Sequence, residues 1–241
     1  CVKVTPAHDP NDFDMGQRHQ LELINIFHPN AELNENVPTR FQGLDRFEAR
    51  KKVVEELDSL GFLDKIEDYD NSIGYSERTD VIVEPYLSKQ WFVKMKPLAK
   101  SALAVVKNGE VSIYPNRWIK TYNHWLNNIK DWCISRQLWW GHQIPVWYCN
   151  NGIEKCETNC KEPIVSINKP KSCPTCGNKD LMQDEDILDT WFSSWLWPFA
   201  TLGWPEDTAD LKKFYPTQDL VTGPDIIFFW VARMIMAGKY F

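Results

Sequence analysis

The chain has no apolar run approaching the ~18 residues that a membrane-crossing helix requires. Its start, CVKVTPAHD, lacks the basic-then-apolar layout of a secretory leader. A soluble, cytoplasmic protein without membrane contact is therefore expected. It also lacks an excess of positive charge: 27 Lys and Arg stand against 33 Asp and Glu, a net charge of −6. This balance argues against a dedicated nucleic-acid binder, although the short basic stretches RFEARKK (46–52) and KMKPLAK (94–100) offer local faces for a phosphate backbone. Internal repeats and low-complexity tracts are absent as well, which leaves an ordinary globular chain.

What is present is hydrophobic and aromatic. At 241 residues and 43% hydrophobic content the chain can bury a core, as one large domain or two modest ones. Residues 44–60 carry Phe47, Val54 and Leu57 at helical spacing, with Gly61 where a left-handed cap is wanted. Alternating β-branched stretches, DVIVEPYL and QWFV, predict strands between 73 and 93, with a domain boundary near residue 85. A helix follows from about Pro97 to Lys107, facing inward with Leu98, Ala102, Val105 and Val106 and stopped by Asn108-Gly109. Trp118, Trp125, Trp132 and Trp139 then recur every seven residues, which on one helix is a single core-facing stripe. That helix would also carry Cys133 as a small buried hydrophobe, while Trp140 falls off the stripe. GHQIPVWYC reads as a strand, and DLVTGPDIIFFWVARM (219–234) as strand, tight turn and helix, the outline of a crossover in a nucleotide-binding α/β fold.

Seven cysteines in a chain expected to be cytoplasmic point to metal or redox chemistry rather than disulfides. Cys173-Pro-Thr-Cys176-Gly is a C-x2-C knuckle, and Cys156-x3-Cys160 offers a second pair within a polar insertion. Two such pairs predict a zinc ribbon in which four thiolates close the coordination sphere, a structural site with no position left for an activated water. Cys149 is the alternative to Cys156 if the insertion loops back.

Near the start, TPAHDPNDF (5–13) reads first as a helix beginning: Asp9 as N-cap, Pro10 at the first helical position, Asp12 in the first turn. Only His8 has no part in that reading. Cys1 in strand-like sequence and a last segment that stops in an apolar helical pattern also suggest an excerpt of a longer protein.

Taken together, DWCISRQLWWGHQIPVWYC (131–149), DEDILDTWFSSWLWPF (184–199) and TGPDIIFFWVARM (222–234) resemble, in order, the second half of the catalytic domain of the valyl-tRNA synthetase family of class I enzymes. TPAHDPNDF is similar to the last part of that family's inserted editing domain. Asp189-Thr-Trp191-Phe-Ser193-Ser194 and His8-Asp-Pro-Asn-Asp12-Phe13 are closer to the valyl than to the isoleucyl wording.

The resemblance implies an α/β fold: part of a class I Rossmann-like catalytic domain with a zinc-ribbon insertion, preceded by the C-terminal part of an α+β editing domain. The implied division is 1–85 editing, 86–148 catalytic connection and core, 149–183 zinc-binding insertion and 184–241 truncated catalytic core. It further implies that Trp140, Ile187 and Trp191 wall a valine side-chain pocket and that Asp186 lies near the amino acid or adenylate. Asp225, after Gly223, would take the ATP ribose; Asp12, with Lys3, Thr5 and Asp9, would line an editing pocket. ATP, Mg2+ and a structural Zn2+ are the implied cofactors, valine and tRNA(Val) the partners, and a monomer the expected state. The HIGH-type and KMSKS-type motifs and the threonine-rich editing strand are missing from the sequence, so this polypeptide alone is not expected to activate valine. A non-catalytic zinc module would call for a basic face, and a free-standing editing hydrolase would leave the second half of the chain without purpose.

Overall fold

The computed structural model describes residues 2–77, 79–149, 160 and 162–241. The chain divides into two compact units, Cys1–Lys89 and Gln90–Phe241.

The first unit is built around helix α1 (Pro10–His19) and helix α2 (Arg46–Ser59). Asp9 caps α1, its Oδ1 accepting from the Asn11 and Asp12 backbone N–H groups at 2.8 and 2.9 Å, with Pro10 in the first turn where no N–H is needed. His8 fastens this start to two distant segments. Its Nε2 accepts from the Ile26 N–H at 3.0 Å, so the proton sits on Nδ1, which donates to the Pro85 carbonyl at 2.9 Å. Asn34, buried, donates to the Asn25 and Phe27 carbonyls and accepts from the Asn36 N–H. Of the strands predicted between 73 and 93, the DVIVEPYL stretch reduces to one bridge between Tyr75 and Ile82, while QWFV keeps a two-residue strand, Phe92–Val93, in the second unit.

The second unit holds the larger core. Helix α3 (Met95–Lys107) buries Met95, Ala99, Ala102 and Val105 and packs on helix α4 (Arg117–Asn127) and on the last helix (Ala232–Tyr240). Tyr122 of α4 lies fully inside and donates its hydroxyl hydrogen to the Ala102 carbonyl at 3.0 Å; burial pushes its phenol well above the usual range. The expected tryptophan helix is shorter than its repeat. Trp118 and Trp125 lie on α4, but the helix stops at Asn127, and Trp132 belongs to strand β2 (Trp132–Cys133), paired antiparallel with β1 (Phe92–Val93). Trp139 is fully exposed rather than core. Backbone pairing with β1 therefore overrides the seven-residue spacing, and Cys133 rides on a strand, not a helix.

Two further antiparallel sheets complete the unit. Strand β3 (Ser135–Arg136) pairs with β7 (Ile187–Leu188), and β4 (Val146–Cys149) lies between β5 (Ile164–Val165) and β6 (Leu181–Gln183). Among the described residues every ladder is antiparallel. Residues 219–223 form no strand, because an extended segment becomes one only by bonding to a neighbour. The chain goes instead into a 3-10 turn (Pro224–Ile226), a π-type turn (Ile227–Val231) and the last helix. No helix among the described residues is long and apolar enough to cross a membrane.

Candidate active site and metal centre

Strand β7 is held on both edges. One edge pairs with β3; along the other, Gln143 bridges Ile187, the Leu188 N–H donates to the His142 carbonyl at 2.7 Å and the Ile144 N–H to the Asp186 carbonyl at 3.0 Å. Two short strands and a turn thus fix Asp186 and Ile187 in space. Gly141 adds a close approach: at its φ of 151° a Cβ would collide with Cδ1 of Ile187, so only glycine lets the loop rest on that side chain.

Helix α5 (Thr190–Ser194) starts directly after β7 and is capped by Asp189, whose Oδ1 accepts from the Trp191 N–H at 2.7 Å. Asp189 is buried and charged, and it is fully compensated. Its Oδ2 pairs with Arg136 and accepts from Trp132 Nε1 at 3.3 Å, while the Arg233 guanidinium lies 3.7 Å over the Trp132 ring. Burial pulls the Arg233 pKa down, partly offset by Asp189. The cap fixes the origin of Trp191, whose half-buried ring stacks on Phe229 at 6.5 Å and 22°. Phe229 follows closely on the 3-10 turn that carries Asp225. Asp225 is exposed, and a Cβ at Gly223 would sit 2.5 Å from its Oδ1. Asp186, Ile187 and Trp191 are therefore close neighbours along one rigid stretch. The Trp140 ring, 91% exposed, is not packed against them, although its neighbour Gly141 is.

Four residues that sequence reasoning passed over belong to this region. Asp184 Oδ2 accepts from Trp91 Nε1 at 2.9 Å and the Tyr148 hydroxyl at 3.0 Å, and its Oδ1 accepts from the Asp186 N–H at 3.0 Å. Burial, then the Asp184 carboxylate, pushes the Tyr148 phenol up. Gln137 bonds to Asp186, and His142 Nδ1 lies 2.8 Å from Ser193 Oγ. No spacing rule marks an isolated Gln or Asp; only the strand pairing brings them together.

The sulfurs of Cys149, Cys160, Cys173 and Cys176 all lie within 4.8 Å of one another. Cys149 to Cys176 is 3.6 Å and Cys173 to Cys160 is 3.7 Å. Tetrahedral zinc with bonds of ~2.3 Å spaces its thiolates by ~3.8 Å, so the donor set and spacing fit that ion. The knuckle is shaped by its backbone, with the Gly177 N–H donating to the Cys173 carbonyl at 2.8 Å and the Cys173 N–H to the Asn178 carbonyl at 2.7 Å. Backbone N–H groups, that of Cys176 foremost, draw the Cys173 thiol down to about 7, toward the thiolate a metal requires. Trp147, Leu181 and Ile164 back the cluster with apolar surface. Cys156, the expected fourth ligand, lies outside the described residues, and Cys149 stands with the other three.

In the first unit Asp12 faces Thr5, its Oδ2 accepting from the Thr5 N–H at 2.7 Å and the Thr5 hydroxyl at 3.2 Å. Lys3 Nζ donates to Thr5 Oγ1 at 3.1 Å. Lys3, Thr5 and Asp12 thus form one polar chain. Asp9 borders it but spends its Oδ1 on the helix cap.

The family described as "tRNA synthetases class I (I, L, M and V)" matches residues 30–241. Over its whole length the chain is 60% identical to the valine--tRNA ligase of Petrotoga mobilis, 59% to that of Thermotoga maritima and 56% to that of Treponema denticola. It spans about a quarter of the length of these curated relatives, 26% or 27% of each. The chain belongs to the class I tRNA synthetase family that groups the isoleucyl, leucyl, methionyl and valyl enzymes.

Proposed function

We propose that this chain is a segment of a valine--tRNA ligase that activates valine with ATP and Mg2+, transfers it to tRNA(Val) and hydrolyses mischarged threonyl-tRNA(Val). In this reading residues 86–148 and 184–241 belong to a Rossmann-like catalytic core, 149–183 to a zinc-binding insertion and 1–85 to the end of the editing domain. The observation that carries it is the seat of Ile187 on a doubly paired strand, with Asp186 directly before it and the capped helix that carries Trp191 directly after.

Ile187 and Trp191, with Trp140, would wall the valine side chain; rigid apolar surfaces accept a branched group of that size and exclude longer ones by overlap. Asp186 would accept a hydrogen bond from the amino acid or its adenylate, and Asp225 from the ribose hydroxyls. A wall of this kind cannot strongly reject an isostere that merely adds a hydroxyl, and the valyl enzyme's discrimination against threonine is the standard example of that limit. A second, polar pocket is then needed. Asp12 suits it, since a carboxylate is the natural partner for the free α-ammonium of an aminoacyl group. Lys3, Thr5 and Asp9 would border the same pocket. Cys149, Cys160, Cys173 and Cys176 would hold one Zn2+, which when bound supplies folding energy to the insertion and takes no part in the reaction.

The test uses Asp12→Asn in the full-length ligase, because the amide still accepts from the Thr5 N–H. Deacylation of preformed threonyl-tRNA(Val) should fall about 10- to 100-fold, the loss of one charge-assisted bond, with valine-dependent ATP–pyrophosphate exchange unchanged. Undiminished deacylation would return Asp12 to a purely structural role.

A further inference from the structure

Gln137 and Asp186 lie just beyond the β3–β7 ladder. Its register pairs Ser135 with Leu188 and Arg136 with Ile187, so Gln137 directly follows β3 and Asp186 directly precedes β7. Gln137 Nε2 donates to Asp186 Oδ2 at 3.0 Å and to Gln90 Oε1 at 3.0 Å. Both amide hydrogens are thereby used, which decides how the amide faces. From the other side, the Asp186 N–H is tied to Asp184 Oδ1, and Asp184 is itself tied to Trp91 and Tyr148. The backbone and one carboxylate oxygen of Asp186 are thus fixed independently, while its Oδ1 has no partner among the described residues. Gln137 is exposed. A hydrogen bond open to water adds little to folding, so its effect is to select one orientation of the carboxylate.

We propose that Gln137, oriented by Gln90, is a positioning residue that holds Asp186 Oδ2 so that Oδ1 is presented to a hydrogen-bond donor of the bound substrate, the α-ammonium of valine or a ribose hydroxyl of ATP. This rests on the reading of Asp186 given above.

The experiment is a double-mutant cycle in the full-length ligase, comparing Gln137→Met, Asp186→Asn and the double variant by ATP–pyrophosphate exchange. Gln137→Met should raise about tenfold the KM of the same substrate that Asp186→Asn affects, leaving the other KM and the melting temperature in place. That substrate is valine if the donor is the ammonium and ATP if it is the ribose. The double variant should be no worse than Asp186→Asn alone, and Gln137→His, whose Nε2 reaches about as far as the amide, should restore most of the loss. If Gln137→Met lowers the melting temperature, Gln137→Glu keeps the shape, removes the donor and is expected to raise the same KM. An additive double variant, or a normal KM in Gln137→Met beside a raised one in Asp186→Asn, overturns the proposal alone. Unchanged KM values in Asp186→Asn overturn the reading of Asp186 and the proposal with it.

Discussion

The two units reach order by different means. In Gln90–Phe241 the larger of two buried clusters is apolar, and in it Met95, Ala102, Tyr122, Met236 and Ala237 are essentially without solvent contact. Among the described residues of Cys1–Lys89 the buried apolar side chains are Pro6, Ala7, Leu33 and Ala49, while Phe62, Ile66 and Tyr69 are at least 75% exposed. Polar bonds take the place of the core there: His8 tying Ile26 to Pro85, Asn34 inside its loop, Asp9 on α1. An apolar composition of 43% therefore says nothing about where the burial falls. The difference also suits the proposed division of labour, a packed pocket that sorts by size and a polar one that sorts by hydrogen bonding.

The sharpest way to break this contrast is to empty the second core. Met236→Ala, at a position 1% exposed, should cost ~2–5 kcal/mol in urea unfolding, whereas Phe62→Ser in the first unit should stay within ~0.5 kcal/mol. Similar losses at the two positions would erase the distinction. Chelation of the cysteine cluster comes next. Purified protein should carry about one zinc per chain, and stripping it or introducing Cys173→Ser should lower the melting temperature; a metal-free preparation with unaltered melting would contradict the assignment. In the first unit His8→Phe keeps a ring against Phe27 but strands the Ile26 N–H and the Pro85 carbonyl. The expected cost is ~0.5–1.5 kcal/mol, against nothing measurable if the polar clamp is unimportant. The smallest effect belongs to the exposed Arg40–Glu56 pair, where Arg40→Ala should leave melting unmoved.

What could be read from the chain follows the range of the interaction. The α1 cap, α2, α3 and the C-x2-C knuckle were legible because capping residues, helical spacing and metal ligands act over a few neighbours. The tryptophan repeat misled because β1, about forty residues upstream, pairs with β2 and ends the helical reading. At the candidate site the landmark residues Asp186, Ile187 and Trp191 stood out through family resemblance. Their supports did not: Gln137, Asp184 and Gln90 meet only once β3, β4 and β7 are assembled. That Cys149 lies beside Cys160, Cys173 and Cys176 likewise depends on where β4 ends.

The central claim is that Trp191, carried on a helix capped by Asp189, is a wall of a valine pocket rather than core filling. Trp191→Ala in the full-length ligase, assayed by ATP–pyrophosphate exchange, should raise the isoleucine-to-valine ratio of kcat/KM by about 10- to 100-fold, since removing a wall relieves the overlap that excludes one extra methylene. A ratio that stays constant while both rates fall together would contradict it.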